Sequence, residues 1–70
     1  MIVVEAIWNT DTGQLWVQTE WGGLAALRDN VTTESDAYSA LAEAGYSRNA
    51  NFLIVPGVPH YRKVEVRYLG

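Results

Sequence analysis

The sequence contains no cysteine and only one histidine, His60, among its 70 residues. Without cysteine the chain has no disulfide, no thiolate metal ligand and no cysteine nucleophile. One histidine cannot build a histidine cluster for a metal ion within a single chain. A phosphate-binding loop and a dinucleotide-binding fingerprint are also absent from the sequence. We therefore expect no metal site, no cofactor and no enzymatic activity.

Three segments could still carry chemistry, and each has a simpler structural explanation. Asp11-Thr12-Gly13 is the tripeptide of aspartic proteases, but it lies between two amphipathic strands, where Asp and Gly are ordinary turn residues. The oxygen-rich segment 29–36 lacks the spacing of a calcium loop, and a loop leading into a helix N-cap explains it. His60 with Ser39 or Ser47 would have to assemble a triad from distant residues without a supporting motif.

Long apolar runs are absent as well. No stretch approaches the length that crosses a membrane, and the first segment, MIVVEAIWNT, has neither a basic lead nor a small-residue cleavage site. A chain with 49% hydrophobic residues is globular, and 70 residues are too few to divide between two cores. We expect a single domain over residues 1–70, located in the cytoplasm and without a membrane partner.

Basic residues are few, five against eight acidic ones, which gives a net charge of −3. Residues 1–47 hold seven acidic residues and Arg28 as their one cation, whereas residues 48–70 hold four basic residues and Glu65. Such a dipolar distribution suits self-association or docking on a charged partner.

Alternation of apolar and polar residues predicts two strands, over 2–8 and 14–21. The connection NTDTGQ has the residues of a hairpin turn, with Gly13 able to adopt the left-handed conformation. Pairing Asn9 with Gln14 across a four-residue loop sets the two apolar faces side by side. A slip of one residue would oppose apolar residues to polar ones, so we predict the four-residue loop.

The middle of the chain predicts a short strand and a helix. Leu-Ala-Ala-Leu within 24–28 favours a helix by propensity, but the preceding Gly22-Gly23 is typical of a tight hairpin, and we predict a strand. Thr33 is a good N-cap and Gly45 a good C′ residue for a helix between them.

Two more strands complete an α+β domain with the order β-β-(β)-α-β-β. The run 52–55 is too short for a helix and predicts a strand covered on both faces, and a turn leads from it to a final strand over 61–69. We predict a two-layer fold in which one helix packs on a mostly antiparallel sheet of four to five strands. A right-handed crossover would place 52–55 beside 2–8 at the sheet centre and leave the final strand at an edge.

The final stretch HYRKVEVRY combines basic and aromatic residues, as nucleic-acid-binding strips do. Alternation divides it, with Tyr61, Lys63, Glu65, Arg67 and Leu69 on one side and Arg62, Val64, Val66 and Tyr68 on the other. Charges on an edge strand commonly discourage pairing with other chains, and we favour this role over phosphate contact. In the alternative hypothesis, single-stranded nucleic acid is bound by Arg48, Tyr61, Arg62, Lys63 and Arg67.

Trp16 lies on the polar side of its strand, next to Ile7 of the first strand. An exposed tryptophan beside an isoleucine often marks a contact surface. In the other interpretation the helix covers this face and Trp16 belongs to the core, and the sequence leaves both open.

The segment GQLWVQTEWGGLAAL…TTESDAYSALAEAG, over about residues 13–45, is similar to HicB-type antitoxins, in which a hairpin, a Pro-Gly turn, a short strand and a Glu-Glu-Ala-Leu helix follow in this order. Here Gly22-Gly23 stands where Pro-Gly is usual, and two extra residues precede the helix. The resemblance implies a strand over 24–28 and a partner-binding role.

We therefore expect a small non-enzymatic module, antitoxin- or inhibitor-like and of the kind carried by phages and mobile elements. Its expected partner is another protein or its own copy in a homodimer. The predicted contact residues lie on the first hairpin and on the edge strand: Ile7, Trp16, Tyr61, Lys63, Glu65 and Arg67.

Overall fold

The computed structural model describes residues 2–19 and 21–69. These residues form one helix and a six-stranded antiparallel sheet that curls into a half-barrel, so the predicted α+β class is confirmed. In chain order the elements are β1 (Ile2–Asn9), β2 (Leu15–Gln18), β3 (Leu24–Arg28), α1 (Glu34–Glu43), β4 (Tyr46–Arg48), β5 (Leu53–Val55) and β6 (Val58–Tyr68). The prediction of four to five strands in two layers is not confirmed, because the sheet has a further short strand and is curled.

The first hairpin has the predicted register. Trp8 pairs with Leu15 and Ala6 with Val17, and the backbone N–H of Asn9 donates to the carbonyl of Gln14 at 2.9 Å. The alternating apolar residues of the two strands fix this pairing, because a slip by one residue would turn every side chain to the opposite face.

The predicted third strand and the predicted helix are both present. A turn that includes Gly22, whose φ is +87°, joins β2 to β3, and the backbone N–H of Thr19 donates to the carbonyl of Gly23 at 2.7 Å. Helix α1 begins after its N-cap Thr33, whose hydroxyl accepts a hydrogen bond from the backbone N–H of Asp36 at 3.1 Å. Gly45 follows the helix with a φ of +90°, the left-handed conformation that commonly ends helices.

The final strand is central in the sheet, so its predicted edge position is wrong. The strand order is β3-β2-β1-β6-β4, and β5 also pairs with β6. β6 pairs with β1 over Tyr61–Tyr68 and with both β4 and β5 on its other side. With 11 residues it is long enough to hold one long neighbour and two short ones. The edges of the sheet are therefore β3 on one side and the short strands β4 and β5 on the other.

The prediction that 52–55 forms a doubly covered strand beside β1 is also wrong. Phe52 is buried, but Leu53 and Ile54 are 68% and 60% exposed. A tight turn with Gly57 at a φ of +80° folds β5 directly back onto β6, and Val55 pairs with Val58. Because this local hairpin forms with the next strand, no crossover brings the run to the sheet centre.

The buried core contains residues of α1 and of the sheet. Helix residues Ala37, Ala40 and Leu41 are buried there, and the sheet contributes a larger set: Ala6, Trp8, Leu15, Val17, Val64 and Val66. Val31 and Phe52 complete this core from the connecting segments. No helix among the described residues is long and apolar enough to cross a membrane.

Candidate functional site

The opposite face of the sheet is not covered by α1, and we call it the open face. Buried residues such as Ala6, Val64 and Val66 point toward the core, so their neighbours along the same strands point to the open face. All six predicted contact residues lie there: Ile7, Trp16, Tyr61, Lys63, Glu65 and Arg67. Trp16 is half-buried and lies on the side of β2 opposite the buried Leu15 and Val17.

A groove of about 380 Å³ runs across the open face. Its apolar lining comes from five side chains on five strands: Ile7, Trp16, Leu24, Val55 and Tyr61. The register explains their meeting, because Ile7 pairs with Trp16 on one side and with Lys63 on the other. Concave sites lined by apolar and aromatic side chains with a few polar groups are typical of binding sites.

Two charged side chains, Glu5 and Lys63, complete the groove lining. The Nζ of Lys63 lies 3.5 Å from the Oε2 of Glu5, and both side chains are about half exposed. Such an exposed ion pair adds little stability, so its main effect is to set the charge pattern at the groove wall.

Glu5 of this ion pair also lies next to a second carboxylate, and that contact is unfavourable. Glu5 pairs directly with Glu65 across β1 and β6. Like charges directly opposite each other in a sheet are destabilising. Glu65 and Arg67 are exposed, and no ion pair with another described residue is found for either.

The basic residues of the nucleic-acid hypothesis do not share one surface. Arg48 lies over the ring of Tyr38, at 3.4 Å from Cζ to the ring centroid, and donates to the carbonyl of Ala50. Arg62 pairs with Trp8 on the core side of the sheet and donates to the carbonyl of Pro59. Lys63 and Arg67 lie on the open face, together with Glu5 and Glu65. A phosphate backbone needs several unopposed cations on one surface, and the described residues offer no such cluster.

The residues of the enzyme hypotheses do not converge either. Asp11 and Thr12 lie in a turn, where their backbone N–H groups donate to the Oδ1 of Asn9 at 2.9 and 3.2 Å, so the turn interpretation of Asp11-Thr12-Gly13 is confirmed. Ser39 and Ser47 line a second cavity beside α1, of about 420 Å³, whose lining does not include His60. Among the described residues no group of three or more His, Asp or Glu side chains could hold a metal ion.

Three residues of the groove are not among the six predicted contact residues. Glu5 and Leu24 lie on strands that were correctly predicted, and extending the β2 register to β3 would have placed Leu24, which pairs with Gln18. Val55 belongs to the run that was expected to be buried at the sheet centre, so its true position could not be found from the apolar pattern. Trp21, in the turn after β2, is 88% exposed and lies close in sequence to Leu24.

No protein-family model matches the chain, and neither a curated protein nor a solved structure gives a significant match. The similarity of residues 13–45 to HicB-type antitoxins therefore stays a resemblance of one segment.

Proposed function

We propose that this chain is a small, non-enzymatic protein-binding module of regulatory type, comparable to an antitoxin or an inhibitor, and that its contact surface is the open face. One observation carries the proposal: five apolar side chains from five strands line a groove on the sheet face that the helix leaves uncovered. Grooves of this size that are lined mainly by apolar and aromatic side chains are typical of binding sites.

The aromatic content of the groove supports a protein as the ligand. Trp16 and Tyr61 line opposite sides of Ile7, and tryptophan and tyrosine are enriched among the residues that dominate binding energy at protein interfaces. Leu24 belongs to the edge strand β3 and is 58% exposed, so the apolar surface extends onto that strand.

The charges of the open face support a protein over nucleic acid. Lys63 and Arg67 are matched in number by Glu5 and Glu65, and the whole chain has a net charge of −3. A balanced set of charges at the border of an apolar surface is typical of the polar rim of a protein interface. A nucleic-acid surface would require an excess of cations.

The mode of contact differs from the one that the sequence predicted. β6 has neighbours on both sides, so a partner strand cannot be added to it. The partner is therefore proposed to contact the face of the sheet. The proposed contact residues are the same six, joined by the other groove residues Glu5, Leu24 and Val55.

Selection of peptides from a random-peptide phage library on the immobilised protein tests the proposal. We expect enrichment of peptides with aromatic and aliphatic residues, and loss of their binding to the variant Leu24→Lys. The matched control is Ile54→Lys, because Ile54 is 60% exposed, close to the 58% of Leu24, but does not line the groove. The control variant should bind the selected peptides as the original chain does.

Three results would contradict the proposal. The first is no enrichment over an empty support, and the second is equal peptide binding by both lysine variants. The third is tight binding of single-stranded DNA or RNA that weakens steeply with salt, which would favour the nucleic-acid hypothesis.

A further inference from the structure

The open-face residues of β6 form a row that is complementary to its own reverse. Within β6 this row contains, in order, Tyr61, Lys63, Glu65 and Arg67. If a second row runs in the opposite direction above it, Lys63 meets Glu65, Glu65 meets Lys63, and each arginine meets a tyrosine ring. Lysine–glutamate pairs and arginine–tyrosine contacts are both attractive.

From this complementarity we infer that the partner on the open face is a second copy of the same chain, packed face to face about a two-fold axis. The inference rests on the proposed function, since it names the partner of the same surface. The axis lies at the level of Val64 and runs across the strands, so that each copy's Lys63 faces the other copy's Glu65. A two-fold interface requires a surface that is complementary to itself, and this row meets the requirement.

The sheet register extends the same axis across three more strands. Val64 pairs with Ala6, Ala6 with Val17, and Val17 with Ala25, so these four residues lie on one line across the sheet. Rotation about that line exchanges the position of Leu24 with that of Ala26. The exposed Leu24 of one copy then meets the small apolar Ala26 of the other, without a clash of two large side chains.

The pairing of Glu5 with Glu65 gives independent support. Within one chain Lys63 lies beside Glu5, whereas Glu65 faces that same Glu5 and finds no cation among the described residues. In the dimer the second copy's Lys63 supplies a cation to Glu65, and the symmetry provides this contact twice. The second copy's Lys63 thereby offsets part of the repulsion between Glu5 and Glu65 in the dimer.

The size of a stable interface sets how much of the open face the dimer has to use. A standard interface removes about 800 Å² from each partner, and this chain has an accessible surface of 4429 Å². An interface of that size takes about a fifth of this surface, so the whole open face has to take part. The strands of two packed sheets cross at about 30°. Because of this angle, residue pairs close to the axis stay in register better than pairs far from it. Lys63 and Glu65 are next to the axis, so they should dominate the specificity.

Sedimentation equilibrium over a range of concentrations tests the inference. We expect the original chain to approach twice its mass of 7.8 kDa. Glu65→Lys places lysine against the second copy's Lys63 at two symmetric positions, and should raise the dissociation constant of the dimer by about a hundredfold or more. The double variant Lys63→Glu with Glu65→Lys restores both opposite-charge pairs and should return the dissociation constant to within about tenfold of the original.

The control is Glu34→Lys, which makes the same change of charge on the exposed first turn of α1 and should leave dimerisation unchanged. A chain that stays monomeric at all concentrations would overturn the inference, as would a dimer that Glu65→Lys does not weaken, since that dimer uses another surface such as the edge of β3. Failure of the double variant to restore the dimer would overturn it as well. A monomer that still selects peptides through Leu24 would leave the proposed protein-binding function standing.

Discussion

Glu5 and Glu65 lie directly opposite each other on the two central strands, β1 and β6. Since like charges in this position are destabilising, Glu65→Lys should raise the free energy of unfolding of the monomer by about 0.5 kcal/mol. Urea unfolding, followed by circular dichroism at concentrations below those that give dimers, measures the change. The gain should shrink as salt is added, because these side chains are exposed and screened.

The matched comparison for this prediction is Glu34→Lys. Glu34 lies in the first turn of α1, where a carboxylate favours the positive end of the helix dipole. Replacing it with lysine should lower the free energy of unfolding by about 0.3–1 kcal/mol. Equal shifts of the same sign in both variants would indicate an effect of net charge alone and contradict the cross-strand explanation.

A second prediction concerns the buried indole of Trp8. Its Nε1 donates to the backbone carbonyl of Val31 at 3.0 Å, and this bond ties the loop before α1 to the centre of the sheet. Trp8→Phe removes the donor, leaves a buried carbonyl unsatisfied and opens space in the core, so the free energy of unfolding should fall by about 2–4 kcal/mol.

Trp21→Phe is the control for the same chemical change. Trp21 is 88% exposed, and its replacement should alter the free energy of unfolding by less than about 0.5 kcal/mol. Both variants are measured by urea unfolding with far-ultraviolet circular dichroism, because tryptophan fluorescence differs between them. Similar losses in both would mean that the Trp8 hydrogen bond does not stabilise the core.

The contrast between the two hairpins shows what local sequence determines. The pairing of β1 with β2 could be predicted because each strand has one apolar and one polar face, and only one register brings the apolar faces together. The run 52–55 is apolar throughout, so its sequence does not restrict which register or neighbour it takes. Its position was set by which strands pair with the two sides of β6. The turn at Gly57 folds the run directly back onto β6 and so gives a local hairpin.

The candidate site was predictable to a similar extent. Ile7 and Trp16 could be placed together because they follow from the hairpin register. The contact of these residues with Tyr61 and Lys63 could not be predicted, because it requires β6 to lie beside β1, whereas the sequence predicts an edge position for β6. The three-residue strand β4 has no alternation of apolar and polar residues, so nothing in its sequence distinguishes it from a loop.

A third prediction concerns Tyr38, which anchors the segment after β4 to the helix. Its ring stacks on Phe52 at a centroid distance of 5.3 Å, and its hydroxyl accepts a hydrogen bond from the backbone N–H of Phe52 at 3.0 Å. Tyr38→Phe keeps the stacking and removes the acceptor, so the free energy of unfolding should fall by about 0.5–1.5 kcal/mol.

Amide hydrogen exchange gives this prediction a local readout. The Phe52 amide should lose protection in Tyr38→Phe by more than the global loss of stability explains, whereas the amide of Val66 in the core should follow the global change alone. Uniform loss of protection at both amides would show that the hydroxyl does not hold this segment.

The last prediction concerns the close approach of Gly13 to the loop before α1. Gly13 has a φ of +77°, and a Cβ at this position would lie 3.1 Å from both the Cα of Asn30 and the backbone nitrogen of Val31. That nitrogen donates to the carbonyl of Gly13 at 2.8 Å, so the loop cannot move away without losing the bond. Gly57, with a φ of +80°, has open space around the same position and serves as the control.

Gly57→Ala should cost about 1–2 kcal/mol, the ordinary cost of the left-handed conformation for an L-residue. Gly13→Ala adds the contact with the loop backbone, so its loss in the free energy of unfolding should exceed that of Gly57→Ala by about 1 kcal/mol or more. Urea unfolding measures the free energy of unfolding of the two variants. The cost of the left-handed conformation is common to both, so it cancels in the difference between them. Equal losses would mean that the loop yields to the extra methyl group, and that the hydrogen bond between Gly13 and Val31 contributes little to holding the helix against the sheet.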